Sequence, residues 1–160
     1  MTPPWLPGTV DTNGEWRMVL AHLHEVFCRD FKDLRPTLDG LRVLWDARPS
    51  EKGHPESFWH LITRIDPVTR QRLFDPRRAE RLPWCAAVIR NAASPEVKRW
   101  VYRQRGQRRL YLWLEDLDYV VVLEPQPERS PRRFFLVTAY LLDGPSQRRA
   151  MRRRYANREA

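Results

Sequence analysis

The sequence carries three strand-like runs in close succession: RLYLWLE at residues 109–115, DYVVVLE at residues 118–124 and RFFLVTAYLL at residues 133–142. Each run is rich in the β-branched, aromatic and aliphatic residues that favour strands. The connections between the runs are short, and short connections join antiparallel neighbours. The three runs therefore predict an antiparallel sheet in the last third of the chain.

The part of the chain before these runs is mostly helical in pattern. From Glu15 to about Asp33, apolar residues recur at spacings of three, four and seven, which predicts one helix with a buried stripe made of Trp16, Leu20, Leu23, Phe27 and Leu34. Shorter signals follow, namely a strand at 41–45, one or two helical turns at 56–64, a helix from Asp75 to Asn91 that restarts at Pro83, and a short helix from Ser94 to about Gln104. The predicted fold class is α+β, with N-terminal helices packed on a C-terminal antiparallel sheet and a basic C-terminal helix that starts at Gly144.

The length of 160 residues, 42% of them hydrophobic, predicts one domain with a substantial core. Residues 1–14 are rich in Pro, Gly and Thr and are expected to form a flexible lead-in, so the domain itself spans 15–160. Cys28 and Cys85 have neither a close pair nor zinc-site spacing, and both are interpreted as reduced thiols. With no apolar stretch of membrane-spanning length, a soluble cytoplasmic protein without membrane contacts is expected.

The charge of the chain points to a polyanionic partner. Lys and Arg number 29 against 20 Asp and Glu, which gives a net charge of +9. Residues 1–40 hold four basic and six acidic side chains, so the remaining 120 residues carry +11. Nucleic acid is the first candidate, and arginine, which dominates here, suits RNA contacts through phosphate and base stacking. The codon usage of a GC-rich genome is an alternative reason for the excess of arginine.

The segment FWHLITR at residues 58–64 pairs a histidine with an arginine. If the segment is helical, His60 and Arg64 are four residues apart and share a face. Histidine transfers protons near neutral pH, and arginine holds a phosphate and its developing charge. Alternatively, His60 is a partly buried histidine that packs beside Trp59.

Two pairs on the predicted strands have side chains on one face of the sheet, since alternate residues share a face. Thr138 and Tyr140 place two hydroxyls side by side, which suits a phosphate site, although a solvated face explains them as well. Tyr111 and Trp113 are positioned either to stack bases or to fill the core.

The chain end is rich in arginine, and we expect Arg152 and Arg153 to contact phosphate, unless this run is only a solvated helix face. Phosphate-loop, dinucleotide, zinc-protease and serine-hydrolase motifs are absent from the sequence. Glu115 and Asp116 allow a two-carboxylate metal nuclease, but acidic residues are ordinary at a hairpin turn.

Four segments together resemble a family of phage-associated proteins in the superfamily of barnase, EndoU, colicin and RelE-like ribonucleases (BECR). They are GHPESFWHLITR at 53–64, RLPW at 81–84, LYLWLEDLDYVVVLE at 110–124 and FFLVTAYLLDGPSQRRAMRRRY at 134–155. The resemblance covers most of the chain, and its most specific pieces are FWHL and LVTAY. It implies a metal-independent ribonuclease with a helical N-terminal part packed on a C-terminal antiparallel sheet.

The resemblance also implies roles for individual residues. His60 is expected to be the catalytic acid or base, and Thr138 and Tyr140 are expected to be active-site hydroxyls. Lys98 and Arg109 are expected to bind RNA together with Arg64, Arg152 and Arg153. Because EndoU-type sites use two histidines, His54 or Tyr140 would supply the second proton transfer.

The expected function is cleavage of RNA by attack of a 2′-hydroxyl on the adjacent phosphorus, which leaves a 2′,3′-cyclic phosphate. No metal or other cofactor is expected. Such a protein would resemble toxins that cut tRNA or mRNA, with a cognate inhibitor protein as a second candidate partner. Two other classes remain open, a non-catalytic RNA- or DNA-binding phage protein and an interaction protein for an acidic partner.

Overall fold

The computed structural model describes residues 2–159. Its helices are α1 (Trp16–Phe27), α2 (Glu56–Ile62), α3 (Pro76–Glu80), α4 (Leu82–Arg90) and α5 (Gly144–Ala156). Its strands are β1 (Thr37–Leu38), β2 (Leu41–Leu44), β3 (Thr63–Ile65), β4 (Arg72–Phe74), β5 (Val97–Gln104), β6 (Gln107–Leu114), β7 (Tyr119–Gln126) and β8 (Arg133–Leu141). A π-helical stretch at Cys28–Asp33 extends α1, and short 3-10 helices occupy Glu51–Gly53 and Glu115–Leu117.

The main sheet has six strands in the order β1-β2-β8-β7-β6-β5, and β3 and β4 form a separate hairpin. The predicted meander is present, since β6, β7 and β8 are consecutive antiparallel neighbours. In addition, β2 lies parallel to β8, with Val43 opposite Phe134, so the complete sheet is mixed, which the sequence does not predict. Parallel neighbours need a long connection, which the helices and the hairpin between β2 and β8 provide. The α+β class is confirmed.

The predicted helix from Ser94 to Gln104 is wrong, because residues 97–104 form strand β5. Two physical features favour the strand. Its sequence, VKRWVYRQ, is rich in β-branched and aromatic residues. Arg105 and Gly106 both have positive φ, which is the backbone of a tight two-residue hairpin turn, and Gln104 pairs directly with Gln107. The strand therefore pairs with β6 along its whole length.

The helices predicted earlier in the chain are mostly present. Helix α1 covers the predicted stripe from Trp16 to Phe27, and Leu34 follows the π-helical extension. Trp16 and Leu34 are 39% and 56% exposed and are not part of the core. Asp75 caps α3 by accepting hydrogen bonds from the backbone N–H groups of Arg77 and Arg78, as the Asp-Pro signal predicts.

Residues 2–14 differ from the flexible lead-in that the sequence predicts, because this segment packs on the domain. The backbone N–H of Val10 donates to the carbonyl of Glu80 at 2.8 Å, and the indole N–H of Trp84 donates to the carbonyl of Pro7 at 3.0 Å. Val10 is itself buried. The segment forms neither helix nor strand but satisfies polar groups of α3 and α4.

The sheet has two covered faces. The inner face packs against α1 and α4 and forms the main core, which includes Phe27, Val88 and Leu112. The sheet curls, and Arg99 on β5 forms a two-pronged ion pair with Asp39 in the β1–β2 turn, which links its two edge strands. Among residues 2–159, no helix combines the length and the apolar character of a membrane span.

The outer face of the sheet is covered by α5. Met151 is 2% exposed and packs with Trp100, Tyr111 and Trp113 in a second cluster of buried residues. Of the two alternatives for Tyr111 and Trp113, base stacking or core packing, the structure therefore shows core packing. Arg148 of the helix pairs with Asp118 at 2.5 Å, so the basic terminal helix is docked on the sheet.

Replacing Met151 by alanine should lower the free energy of unfolding by about 2–4 kcal/mol, because it leaves a cavity under α5. Arg153→Ala on the exposed side of the same helix is the control and should change it by less than about 0.5 kcal/mol. Urea denaturation monitored by circular dichroism measures both values. An equal, small effect of the two substitutions would contradict the docking of α5.

Candidate functional site

A β-bulge on β8 determines which side chains leave the core. Val122 of β7 pairs with Thr138 and Leu123 pairs with Leu136, so Val137 is an extra residue without a partner. A bulge shifts the alternation of side chains by one position. Ala139 consequently points into the main core, and Thr138 and Tyr140 lie on the outer face. The prediction that these two hydroxyls share a face is confirmed.

The outer face next to the bulge opens into a large pocket with a volume of about 1320 Å³. It lies between β8, helix α5 and the segment that runs from α2 through α3. Four predicted site residues line it, namely His60, Arg64, Thr138 and Tyr140. The fold thus brings together residues that are up to 80 positions apart in the sequence.

His60 and Arg64 reach the pocket in a way that the sequence does not predict. Helix α2 ends at Ile62, and Arg64 lies on strand β3, where it pairs with Leu73. The two residues therefore do not share a helical face. Both line the pocket because the chain turns from helix to strand between them.

The imidazole of His60 is oriented by a carboxylate one helical turn away. Its Nε2 lies 3.4 Å from Oε2 of Glu56, and the same oxygen accepts a hydrogen bond from Arg72 at 3.2 Å. Burial and the Arg72 cation lower the pKa of His60, while Glu56 and Asp46 act in the opposite direction. The imidazole is therefore mainly neutral at pH 7 and able to accept a proton.

Arg78 is a pocket residue that the sequence analysis missed. One of its terminal nitrogens donates to the carbonyls of His60 at 3.2 Å and Thr63 at 2.6 Å, and its guanidinium lies over the Tyr140 ring at 5.7 Å. Its Nε is buried without a hydrogen-bond partner in the described structure, and the nearest carboxylate contact, Asp75, is 3.9 Å away. Burial lowers the pKa of Arg78, although an arginine stays cationic in proteins. A cation held by carbonyls is available to an anion in the pocket.

Tyr140 and Arg154 also line the pocket. Burial raises the pKa of the Tyr140 phenol, and the Arg154 guanidinium partly offsets this effect, so the phenol is protonated at neutral pH. Arg154 donates to the hydroxyl of Tyr111 at 3.1 Å, which positions its guanidinium at the pocket wall. Met151 lies three residues before Arg154 in an arginine-rich run, and this large apolar residue is the sequence signal that could have identified the docked side of the helix.

The other residues predicted to bind RNA lie outside the pocket. Lys98 pairs with Glu115 at 3.0 Å, Arg109 pairs with Glu124 at 2.6 Å, and Arg152 lies 3.8 Å from Glu115. Arg153 is exposed on α5 and is also not a lining residue. The cations in the pocket are instead supplied by Arg64, Arg77, Arg78 and Arg154.

His54 does not join His60. Its ring lies tilted against that of His24, with a centroid distance of 4.2 Å, and contacts Phe58. Of the two residues considered for a second proton transfer, only Tyr140 lines the pocket.

The pocket carries a net positive charge, because its four arginines exceed the two aspartates, Asp75 and Asp143. Asp75 is already engaged as the α3 cap, and Asp143 lies 3.3 Å from Arg77. Within residues 2–159, no three His, Cys, Asp or Glu side chains are grouped to hold a metal ion. A neutral imidazole, a protonated phenol and several arginines are suited to bind and transform a phosphodiester.

No protein-family model, curated protein or solved structure matches this chain.

Acidification should destabilise the protein before its carboxylates titrate. Burial is the largest cause of the lowered pKa values of His24, His54 and His60. Below about pH 6.5 the unfolded chain binds protons that these folded-state imidazoles resist, so the free energy of unfolding should fall between pH 7.5 and pH 5.5. Urea denaturation at both pH values measures the fall.

The variant His54→Gln should show a smaller fall than the wild type, because it removes one of the three imidazoles whose pKa burial lowers. A stability that is constant or increases towards pH 5.5 would contradict this account of the histidines.

Proposed function

We propose that this protein is an endoribonuclease that cleaves RNA without a metal ion, by attack of a 2′-hydroxyl on the adjacent phosphorus. The observation that carries the proposal is the convergence of His60, Tyr140 and Arg78 on one open, cationic pocket. The resemblance to BECR ribonucleases points to the same reaction. RNA is the proposed partner, with tRNA or mRNA as the target and a cognate inhibitor as a further partner, and action on cellular RNA implies a cytoplasmic location.

The chemistry requires one proton to leave and one to arrive. His60 is mainly neutral and takes the proton from the 2′-hydroxyl as its oxygen bonds to phosphorus. The bond from phosphorus to the 5′-oxygen then breaks, and the protonated Tyr140 phenol donates a proton to that oxygen. The products are a 2′,3′-cyclic phosphate and a free 5′-hydroxyl, and solvent restores both protonation states.

The arginines act on the charge of the phosphorane. Arg78 is held by two carbonyls and lies against Tyr140, so its guanidinium is already positioned before substrate binds. Arg64 and Arg154 supply further positive charge at the pocket wall. Glu56 stabilises the imidazolium that forms when His60 accepts its proton.

His60→Ala should lower the rate of RNA cleavage in EDTA by about 10²–10⁴-fold, because it removes the general base. RNA binding should change little, since the arginines of the pocket remain. The purified protein is incubated with total RNA in EDTA, and fragments are resolved on a denaturing gel. His22→Ala, with a histidine 59% exposed on α1, is the matched control and should cut at the wild-type rate.

Melting curves of both variants are compared with the wild type, because His60 also contacts Glu56. A folded His60→Ala protein that cuts RNA at the wild-type rate would contradict the proposed mechanism. Wild-type protein that retains RNA without cutting it would instead support a non-catalytic binding protein.

A further inference from the structure

The β3–β4 hairpin carries an apolar surface that the core does not explain. Ile65 and Val68 are 51% and 87% exposed, and they belong to one short hairpin. Trp16, which is 39% exposed, packs against Phe74 of the same hairpin with a centroid distance of 4.7 Å. Large exposed apolar side chains that cluster in this way are typical of a binding surface.

One side of this surface is a wall of the pocket. Ile65, Pro67 and Phe74 line it next to His60 and Arg64. We call these three apolar residues the hairpin shelf. The shelf therefore adds apolar side chains to the same pocket that holds His60, the group proposed to move a proton, and Arg64.

The hairpin is built as a fixed support. At its tip, Asp66 accepts hydrogen bonds from the backbone N–H of Val68 at 3.1 Å and from the hydroxyl of Thr69 at 2.9 Å. The backbone N–H of Arg70 donates to the carbonyl of Asp66 at 2.8 Å. At its base, Thr63 pairs with Phe74, which fixes the shelf relative to α2 and His60.

We propose that the hairpin shelf binds one nucleobase of the RNA whose phosphate is held by the arginines of the pocket. The inference rests on the proposed function, because it takes RNA as the substrate. A nucleotide joins a flat, largely apolar ring to an anion, and this pocket is lined by both apolar side chains and arginines. An acidic protein would also pair with the arginines. However, it does not carry a flat apolar ring next to each anionic group, as RNA does.

The shelf holds a base without reading its identity. Ile65, Pro67 and Phe74 have apolar side chains, and packing against the face of a base tolerates every base. Discrimination between bases requires hydrogen bonds to their edges. The subsite therefore positions the nucleotide for cleavage, and we expect affinity to depend on the presence of a base more than on its type.

The test uses two probes that cannot be cleaved, because a 2′-O-methyl group replaces the attacking hydroxyl. One is a fluorescent 2′-O-methyl hexanucleotide, and the other is its abasic counterpart with the same charge. Wild-type protein should bind the base-bearing probe about tenfold more tightly, which corresponds to a weak base stack. Fluorescence anisotropy at fixed salt concentration measures both dissociation constants.

Ile65→Ser should remove most of this tenfold preference and leave the affinity for the abasic probe unchanged, whereas Ile65→Phe should keep or increase the preference. Leu34→Ser is the matched control, since Leu34 follows the π-helical extension of α1, is 56% exposed and does not line the pocket. The control should leave both dissociation constants unchanged.

Equal binding of the two probes by wild-type protein, or no measurable binding of either, would contradict the proposal that the hairpin shelf binds a base. A loss of affinity for both probes alike in Ile65→Ser would also overturn it. Neither probe is cut, so these outcomes are independent of catalysis. If the protein prefers the base-bearing probe but never cleaves RNA, the base-binding role of the shelf stands and only the proposed cleavage activity is refuted.

Discussion

The single extra residue in β8 is the constraint on which the rest of the site depends. Strand side chains alternate, so a regular β8 would point Leu136, Thr138 and Tyr140 into the same core. The bulge at Val137 places Ala139 there instead, and both hydroxyls then face outwards. Core packing and the chemistry of the pocket are therefore set by one insertion. Bulges elsewhere serve to re-aim side chains beside active sites, and this one has the same geometric effect.

The charge of the protein is organised by local pairing. Many arginines hold a carboxylate, as Arg99 holds Asp39 and Arg148 holds Asp118. These pairs link the edges of the curled sheet and hold α5 on it. Their arginines add to the basic residue count of the sequence, but their charge is already neutralised by a carboxylate. Arg78 differs, since its hydrogen-bond partners are carbonyls and it lines the pocket. The net charge of +9 is thus less informative about a binding site than the partners of each arginine.

The sequence predicts the strands best where the apolar runs are long. The meander, the Asp75 cap and the final helix were all predictable from residue type and from the Pro and Gly residues at the element boundaries. Strand β5 was missed because the Ser-Pro-Glu signal resembles a helix start, while the competing turn at Arg105 and Gly106 has only one glycine to mark it. The docking of residues 2–14 depends on partners such as Glu80 and Trp84, which are distant in sequence and leave no local pattern.

The candidate site was predictable only in part, for a similar reason. His60, Thr138 and Tyr140 were identified from their motifs and do meet in one pocket. The basic residues were mostly misplaced, because an arginine in a strand or helix gives no sign of whether a carboxylate lies opposite it. Lys98 and Arg109 are both paired with glutamates. Arg78 reaches the pocket because α3 packs against α2 and β8, which no local sequence pattern predicts.

In the proposed reaction, the RNA 2′-hydroxyl is the nucleophile at this pocket. This role is tested most directly with an RNA oligonucleotide that the protein cuts at one mapped bond in EDTA, compared with the same oligonucleotide carrying a single 2′-deoxy residue on the 5′ side of that bond. The all-ribose substrate should yield a 2′,3′-cyclic phosphate end, identified by mass spectrometry, and the substituted bond should remain intact. Cleavage of the substituted bond at the same rate, or a linear phosphate end formed without a cyclic intermediate, would contradict this role of the 2′-hydroxyl.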